Sequence, residues 1–141
     1  MFIGANATLQ YIKFLLEEIE EVKTVEIGSN SNLSVKDTPS INLIVMKNRK
    51  VQTLETPVIK DPKRLYMIDE MELWVLYSIS SKISDRNTLL SRFEGLENQI
   101  RNTLENNRHL DIDYFKSEYD GFKELAPLEC GYAIFKVRID K

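Results

Sequence analysis

One stretch limits the possible folds more than any other, because its hydrophobic period changes within a few residues. RLYMIDEMELWVLYSIS, residues 64–80, alternates along its length and is rich in β-branched and aromatic side chains, which is typical of a strand. After Ser84, a potential helix N-cap, the apolar residues recur every three to four positions. The sequence therefore predicts a long strand that leads directly into a long helix over residues 85–106.

The rest of the chain adds one helix and several strands. An amphipathic helix is predicted over 5–23 and further strands over 24–27, 41–46, 110–122 and 128–140. The apolar run 41–46 is expected to be a central strand covered on both faces, followed by a turn at Lys47–Arg49. A mostly antiparallel β-sheet with an N-terminal helix and a long second helix before the last two strands is an α+β fold, predicted here as a single domain, 1–141.

The composition is that of an ordinary globular protein, with 43% hydrophobic and 29% charged residues. A net charge of -3 does not suit a chain whose whole surface grips nucleic acid or anionic lipid. No window approaches the ~20 consecutive apolar residues that a spanning helix needs, and the N-terminus lacks the basic region of a signal peptide. A single cysteine, Cys130, excludes an internal disulfide, so a cytoplasmic location without a membrane partner is expected.

The residues that carry chemistry in other proteins form no motif here. His109 is the only histidine and follows a helix end, which favours a polar cap over a general base or metal ligand. Cys130 lies in a strand among small residues, which favours a packed side chain over a nucleophile. The carboxylates within 69–72 and 111–113 are typical of a solvated strand face, although closely spaced carboxylates can also bind a hard cation. We therefore expect no enzymatic activity, cofactor or metal.

One segment, residues 47–64, is locally basic, with six bases opposed only by Glu55 and Asp61. Pro57 and Pro62 cannot lie in a central ladder, so an edge strand or extended arm is predicted. Such an arm can guard a sheet edge or contact a protein, and alternatively it can follow the phosphates of a nucleic acid. The candidate partner-contact residues of this basic arm are Lys47, Arg49, Lys50, Lys60, Lys63 and Arg64.

The order of these elements resembles that of one phage family. The segments that carry the resemblance are ANATLQYIKFLLEEIEEV, PSINLIVM, MELWVLYSIS followed by DRNTLLSRFEGLENQIRNTL, and CGYAIFKVRID. In order, length and pattern they resemble the tail terminator proteins of long-tailed bacteriophages, also called minor tail protein U-like or tail completion proteins. The resemblance covers most of the chain. Other small phage neck and head-completion proteins share much of this plan and are the alternative.

The resemblance implies a structural protein. Members of this family form hexameric rings that cap the finished tail tube and provide the surface for head attachment. It therefore implies a homo-oligomer, a hexamer, with tail tube and neck proteins as partners and with DNA contacted only in passage through a ring. It also implies a location in the virion tail if the protein is phage-encoded. A small nucleic-acid-binding domain is the remaining alternative.

Four apolar side chains are candidates for the subunit interface of such a ring. Trp74 and Leu76 lie on the second face of the long predicted strand, and Tyr132 and Ile134 lie on the second face of the last one. A single layer of helices covers only one face of a sheet, so the apolar side chains on the second face of these strands are expected to stay exposed in one subunit. Apolar patches that remain exposed usually mark partner surfaces. We therefore expect these four residues to contact a neighbouring subunit.

Overall fold

A computed structural model of the chain describes residues 5–28, 38–54, 65–80, 86–120 and 128–140. These ranges contain two helices and five strands. In chain order they are α1 (Ala5–Glu17), β1 (Thr24–Ile27), β2 (Ser40–Leu54), β3 (Leu65–Ser80), α2 (Arg86–Glu105), β4 (Asp111–Asp120) and β5 (Leu128–Asp140). The predicted α+β fold, with an N-terminal helix and a long second helix before the last two strands, is confirmed.

The five strands form one sheet in the order β1-β2-β3-β5-β4. β1 runs parallel to β2, and the other three neighbouring pairs are antiparallel. β3 is the middle strand, which agrees with its apolar sequence, because a central strand has little access to water. The sheet is therefore mostly antiparallel, as predicted.

Both helices pack on one side of this sheet, which we call the helix-covered face. From β3 it receives Met71, Leu73, Val75, Tyr77 and Ile79, each 0% or 1% exposed. Ile12 and Leu16 of α1 and Ile100 and Leu104 of α2 are 0% exposed and belong to the same core. Full burial of an aliphatic side chain contributes roughly 1.5–3 kcal/mol, so this face supplies most of the hydrophobic stabilisation of the fold.

The first helix ends earlier than its periodicity predicts. α1 stops at Glu17, whereas the apolar stripe predicts a helix to residue 23. Beyond Glu17, the amides of Glu18 and Ile19 each donate to the carbonyl three residues back at 3.2 Å. Such bonds tighten the last turn and take the chain off the α-helical path. Ile19 still reaches the core at 8% exposed, so the apolar period continues where the helix does not.

The second strand is longer than predicted, and the turn predicted at Lys47–Arg49 is wrong. These residues lie inside β2 and pair with β3. A β-bulge between Val45 and Lys47 absorbs one residue, after which the ladder continues to Leu54. A long partner strand thus overrides the local preference for a turn.

The prediction that residues 41–46 are covered on both faces is correct for only one face. Ile41 and Leu43 are each 1% exposed and belong to the core. Ile44 is partly exposed, and Met46 is 51% exposed. The difference arises because both described helices pack on the helix-covered face.

The opposite side of the sheet, which we call the second face, brings the four predicted interface residues together. β3 and β5 pair so that Leu76 lies beside Tyr132 and Trp74 lies beside Ile134. Paired residues on adjacent strands share a face, so the four side chains form one contiguous group, the aromatic patch. β2 extends this group with Ile44, which pairs with Trp74.

Candidate partner-binding surface

The centre of the second face is a stacked aromatic pair. The ring centroids of Trp74 and Tyr132 lie 4.7 Å apart, with 16° between the ring planes. Both residues are partly exposed, as is Leu76. Ile134 is only 5% exposed, so its own subunit already covers most of it. A partner on this face would therefore meet Trp74, Leu76 and Tyr132 first, and large aromatic side chains are the groups that most often dominate binding energy.

Hydrogen bonds hold both rings in place. The indole Nε1 of Trp74 donates to Glu72 Oε2 at 2.9 Å, and the hydroxyl of Tyr132 donates to Glu118 Oε2 at 2.6 Å. Because these bonds fix the orientation of the rings in the isolated subunit, little side-chain entropy remains to be lost when a partner binds. The aromatic patch is thus preorganised for contact.

Ion pairs lie beside the aromatic patch on the second face, one between β5 and β3 and two between β5 and β4. Lys136 Nζ lies 3.7 Å from a carboxylate oxygen of Glu70. The guanidinium of Arg138 lies 2.8 Å from Asp111 and 2.5 Å from Asp113. Hydrogen bonding to Asp113 raises the pKa of Arg138 above its ordinary value, so this group stays charged. An apolar centre within a charged rim is the usual anatomy of a protein–protein interface.

A cleft of about 240 Å³ opens beside the aromatic patch. Its walls include Glu72, Phe115, Ile134 and Lys136. Phe115 is 70% exposed, more than any other large apolar side chain that the structure describes. Ligand pockets usually enclose about 300–1,000 Å³. The cleft is smaller than that, and its size suits a single side chain of a partner.

A polar cluster beneath α2 was not predicted from the sequence. Glu97 is a carboxylate, yet it is only 8% exposed. Its Oε1 accepts hydrogen bonds from the Tyr114 hydroxyl at 3.2 Å and from Ser117 Oγ, and its Oε2 accepts one from the Tyr119 hydroxyl. The Arg101 guanidinium lies 3.7 Å above the Tyr114 ring. These five residues are called the Glu97 cluster below.

The Glu97 cluster attaches α2 to β4. Glu97 and Arg101 lie on the helix, and the three hydroxyl donors lie on the strand. A buried carboxylate is tolerated only when hydrogen bonds replace its lost hydration, and the three hydroxyls do so. The cluster lies on the helix-covered face of the sheet, where it joins two elements of one subunit.

Tyr77 lies near this cluster and is fully buried. Its hydroxyl has no hydrogen-bond partner among the described residues. Burial, assisted by the negative charge of Glu97, raises the pKa of Tyr77 far above its ordinary value of 10.0. The hydroxyl therefore stays protonated at neutral pH, and Tyr77 is unsuited to act as a base.

His109 and Cys130, for which a structural role is predicted, lie after α2 and on β5 respectively. His109 is exposed after α2, where its ring meets the edge of the Tyr11 ring at a centroid distance of 6.5 Å. Cys130 on β5 is 4% exposed, with its Sγ 3.2 Å from Ser78 Oγ. Over the part of the chain that the structure describes, no three or more His, Cys, Asp or Glu residues are grouped to hold a metal ion.

The basic arm is described only in part. Lys47, Arg49 and Lys50 belong to the backbone of β2, but their side chains lie outside the described set. The other three arm residues lie outside the described residues altogether; they are Lys60, Lys63 and Arg64. Partner contact by this arm stays a prediction.

No protein-family model matches the chain, and no curated protein matches its sequence. Among the helices of the described residues, none is both long and apolar enough to cross a membrane. A functional proposal for this chain therefore rests on its own surfaces and on the order of its elements.

Proposed function

We propose that the chain is a structural subunit of the phage tail terminator kind, which assembles with copies of itself into a ring that caps a tail tube and provides the surface for head joining. The observation that carries this proposal is the aromatic patch. It lies in the middle of the second face, with its rings fixed by hydrogen bonds and with ion pairs at its rim. A surface of this kind serves contact with another protein.

The order of the elements supports the same class. An N-terminal helix, a long central strand that precedes the second helix, and two closing strands follow the plan of the tail terminators. A ring subunit has no reaction to perform, so its side chains need only present complementary surfaces. The cleft beside Phe115 then accepts a side chain from a neighbouring subunit, the tube or the neck.

Solution mass tests this proposal directly. Light scattering over a wide concentration range is expected to show a hexamer, at six times the subunit mass of 16.4 kDa, and electron microscopy should show rings. Replacing both aromatic side chains, as Trp74→Ala with Tyr132→Ala, should weaken binding of the protein to tail tube subunits, measured by co-sedimentation, because the large anchors of the second face are removed. A species that stays monomeric at all concentrations, also in the presence of tail tube subunits, would contradict the proposal.

A matched control separates the aromatic patch from aromatic surface in general. Phe14 on α1 is 59% exposed and lies on the other layer of the fold. Phe14→Ala is expected to leave the binding of tail tube subunits intact. If Phe14→Ala abolishes this binding and the double variant does not, the contact uses the helical layer and the role given to the second face is wrong.

One observation favours a second function, namely contact with nucleic acid. Residues 47–64 carry a net charge of +4 within a chain of net charge -3. DNA binding through phosphates would weaken steeply as salt concentration rises. Fluorescence anisotropy with labelled DNA at two salt concentrations tests DNA binding, and the absence of salt-dependent binding would exclude this function.

The other alternative is a neck or head-completion subunit. In that case, a phage that lacks the gene would lose the neck or the completed head and keep terminated tails.

A further inference from the structure

As far as the structure describes the chain, each edge of the sheet contains a run of strand that pairs on one side only. β1 contains four residues and pairs with β2 only as far as Leu43. Gly28 ends β1, because its φ of 89° is in the left-handed region that favours glycine, and its N–H donates to the Leu43 carbonyl at 2.8 Å. Among the described residues, β2 beyond this point pairs with β3 alone. At the other edge of the sheet, β5 is the one described strand that pairs with β4.

These two edges have opposite charge. The open part of β2, VMKNRKVQTL over residues 45–54, contains three bases and no acid, which gives +3. β4, DIDYFKSEYD over residues 111–120, contains four acids and Lys116, which gives -3. In the register, Glu72, Glu70 and Asp69 of β3 oppose the three bases, and Lys136 and Arg138 of β5 oppose Asp113 and Asp111. Charge therefore alternates from strand to strand, and a strand added at either edge has the bases of β2 or the acids of β4 as its nearest neighbours. We call the two surfaces the basic edge and the acidic edge.

The charges restrict how two copies can meet. Like-charged edges repel, so neither two basic edges nor two acidic edges pair favourably. A basic edge and an acidic edge attract, and that contact is heterologous, with different surfaces on the two sides. Repetition of a heterologous contact generates a ring when the rotation between copies closes.

The strand directions suit the same contact. Each step from β2 to β3, from β3 to β5 and from β5 to β4 is antiparallel, so β4 runs opposite to β2. A second copy placed beside the first with its sheet in the same orientation presents its β4 antiparallel to β2. This is the more stable type of ladder, and it keeps the helices of both copies on the same side.

Each edge also carries a β-bulge with an exposed apolar side chain. The bulge in β2 lies at Met46, which is 51% exposed, and the bulge in β4 lies at Phe115, which is 70% exposed. Bulges bend a strand and increase its twist, and a sheet that closes around an axis needs such curvature. Met46 and Phe115 are thus placed to add apolar area to an edge contact.

We infer that the basic edge of one copy pairs antiparallel with the acidic edge of the next, so that the sheet continues from subunit to subunit. The inference rests on the proposed ring assembly and names the surfaces that close the ring. The aromatic patch then lies on the same face in every subunit, in position to contact neighbouring proteins.

Charge exchange between the edges tests the inference. Variant one carries Lys47→Glu, Arg49→Glu and Lys50→Glu, which changes the basic edge from +3 to -3. Variant two changes the acidic edge from -3 to +3 and keeps Asp113 as the partner of Arg138. Its substitutions are Asp111→Lys, Glu118→Lys and Asp120→Lys. Each variant alone is expected to raise the dissociation constant of the oligomer at least about tenfold, because like charges meet at every junction.

A mixture of the two variants provides the decisive measurement. When the two variants alternate, the altered edge of variant one, at -3, meets the altered edge of variant two, at +3. The unaltered edges of the two variants, which also have opposite charges, meet at the next junction. An equimolar mixture should therefore regain the wild-type mass in light scattering, with the variants alternating around the ring. Far-UV circular dichroism of each variant establishes that it is folded before mixing.

The control changes net charge by the same amount away from both edges. Glu18→Lys, Glu20→Lys and Glu21→Lys follow α1, where all three residues are exposed, and should leave the mass unchanged. If wild type assembles and the edge variants assemble equally well, or if folded variants fail to recover on mixing, the edge contact is wrong and the proposed function stands. If wild type itself never assembles, both fail.

Discussion

At the scale of single residues, Gly131 shows how a missing side chain shapes the core. A Cβ added there would lie 2.6 Å from Tyr77 Cε2 and 2.9 Å from Tyr119 Cδ1. Both atoms belong to rings that are packed against each other and against Phe93, so neither can move easily. We expect Gly131→Ala to lower the free energy of unfolding by about 1–3 kcal/mol, as overpacking usually does, measured by urea denaturation.

A second glycine in the same chain serves as the control for that prediction. Gly95 lies within α2, is exposed, and has nothing within 4 Å of an added Cβ. Gly95→Ala should raise the free energy of unfolding by roughly 0.5–1 kcal/mol, because alanine restricts the unfolded chain and favours the helix. If both glycine variants change the free energy of unfolding in the same direction, crowding by the Tyr77 and Tyr119 rings is not the reason for a glycine at position 131.

At the scale of elements, the Glu97 cluster is the polar connection between α2 and β4. Tyr119→Phe removes a hydroxyl that donates to a buried carboxylate, which should lower the free energy of unfolding by about 1–3 kcal/mol. Tyr77→Phe is the matched control, because it removes a buried hydroxyl that has no hydrogen-bond partner among the described residues. It should leave stability unchanged or raise it by up to about 1 kcal/mol. Equal losses of unfolding free energy in the two variants would show that packing around the aromatic side chains, and not the hydrogen bond to Glu97, determines both effects.

How far the sequence predicts these elements depends on whether local pattern or partner strands decide the backbone. Alternation correctly predicted the face of Tyr77 on β3 and the bounds of β5, because the ladder between β3 and β5 runs without a register shift over all of β5. The bulge between Tyr114 and Lys116 is different, since it places Tyr114, Ser117 and Tyr119 on one face. Simple alternation separates Tyr114 from the other two, so the donors of the Glu97 cluster could not be grouped from sequence.

The position of Glu97 in the sequence does indicate that this side chain faces the core. It lies four residues after Phe93, and residues four apart share one side of a helix, so a carboxylate at this position faces the core. Alternation assigned Trp74, Leu76, Tyr132 and Ile134 to the second face of their own strands, and the pairing of β3 with β5 brings the four together. Their use as a partner surface depends on a second molecule, which sequence and single-chain geometry do not contain.

At the scale of the whole molecule, the surfaces of the subunit separate by chemistry. Helices cover one face of the sheet, an aromatic patch occupies the centre of the other, and the two open edges carry opposite charge. Apolar contact and charged contact therefore use different parts of the same sheet. In the proposed ring, this separation lets a neighbouring copy bind at an edge while a partner beyond the ring binds the aromatic patch.

Ionic strength should distinguish the two kinds of contact in the assembled protein. Raising NaCl from about 0.1 M to about 1 M shortens the Debye length from about 10 Å to about 3 Å, which screens attraction between the opposite charges of the two edge sequences. We expect the dissociation constant of the oligomer to rise at least about tenfold over this range, measured by light scattering on dilution. The control is sodium sulfate at matched ionic strength, which strengthens apolar burial as well as screening charge and should therefore weaken the oligomer less. An oligomer that becomes tighter in NaCl must be held chiefly by apolar surface, and the aromatic patch, not the pair of edges, would then join the subunits.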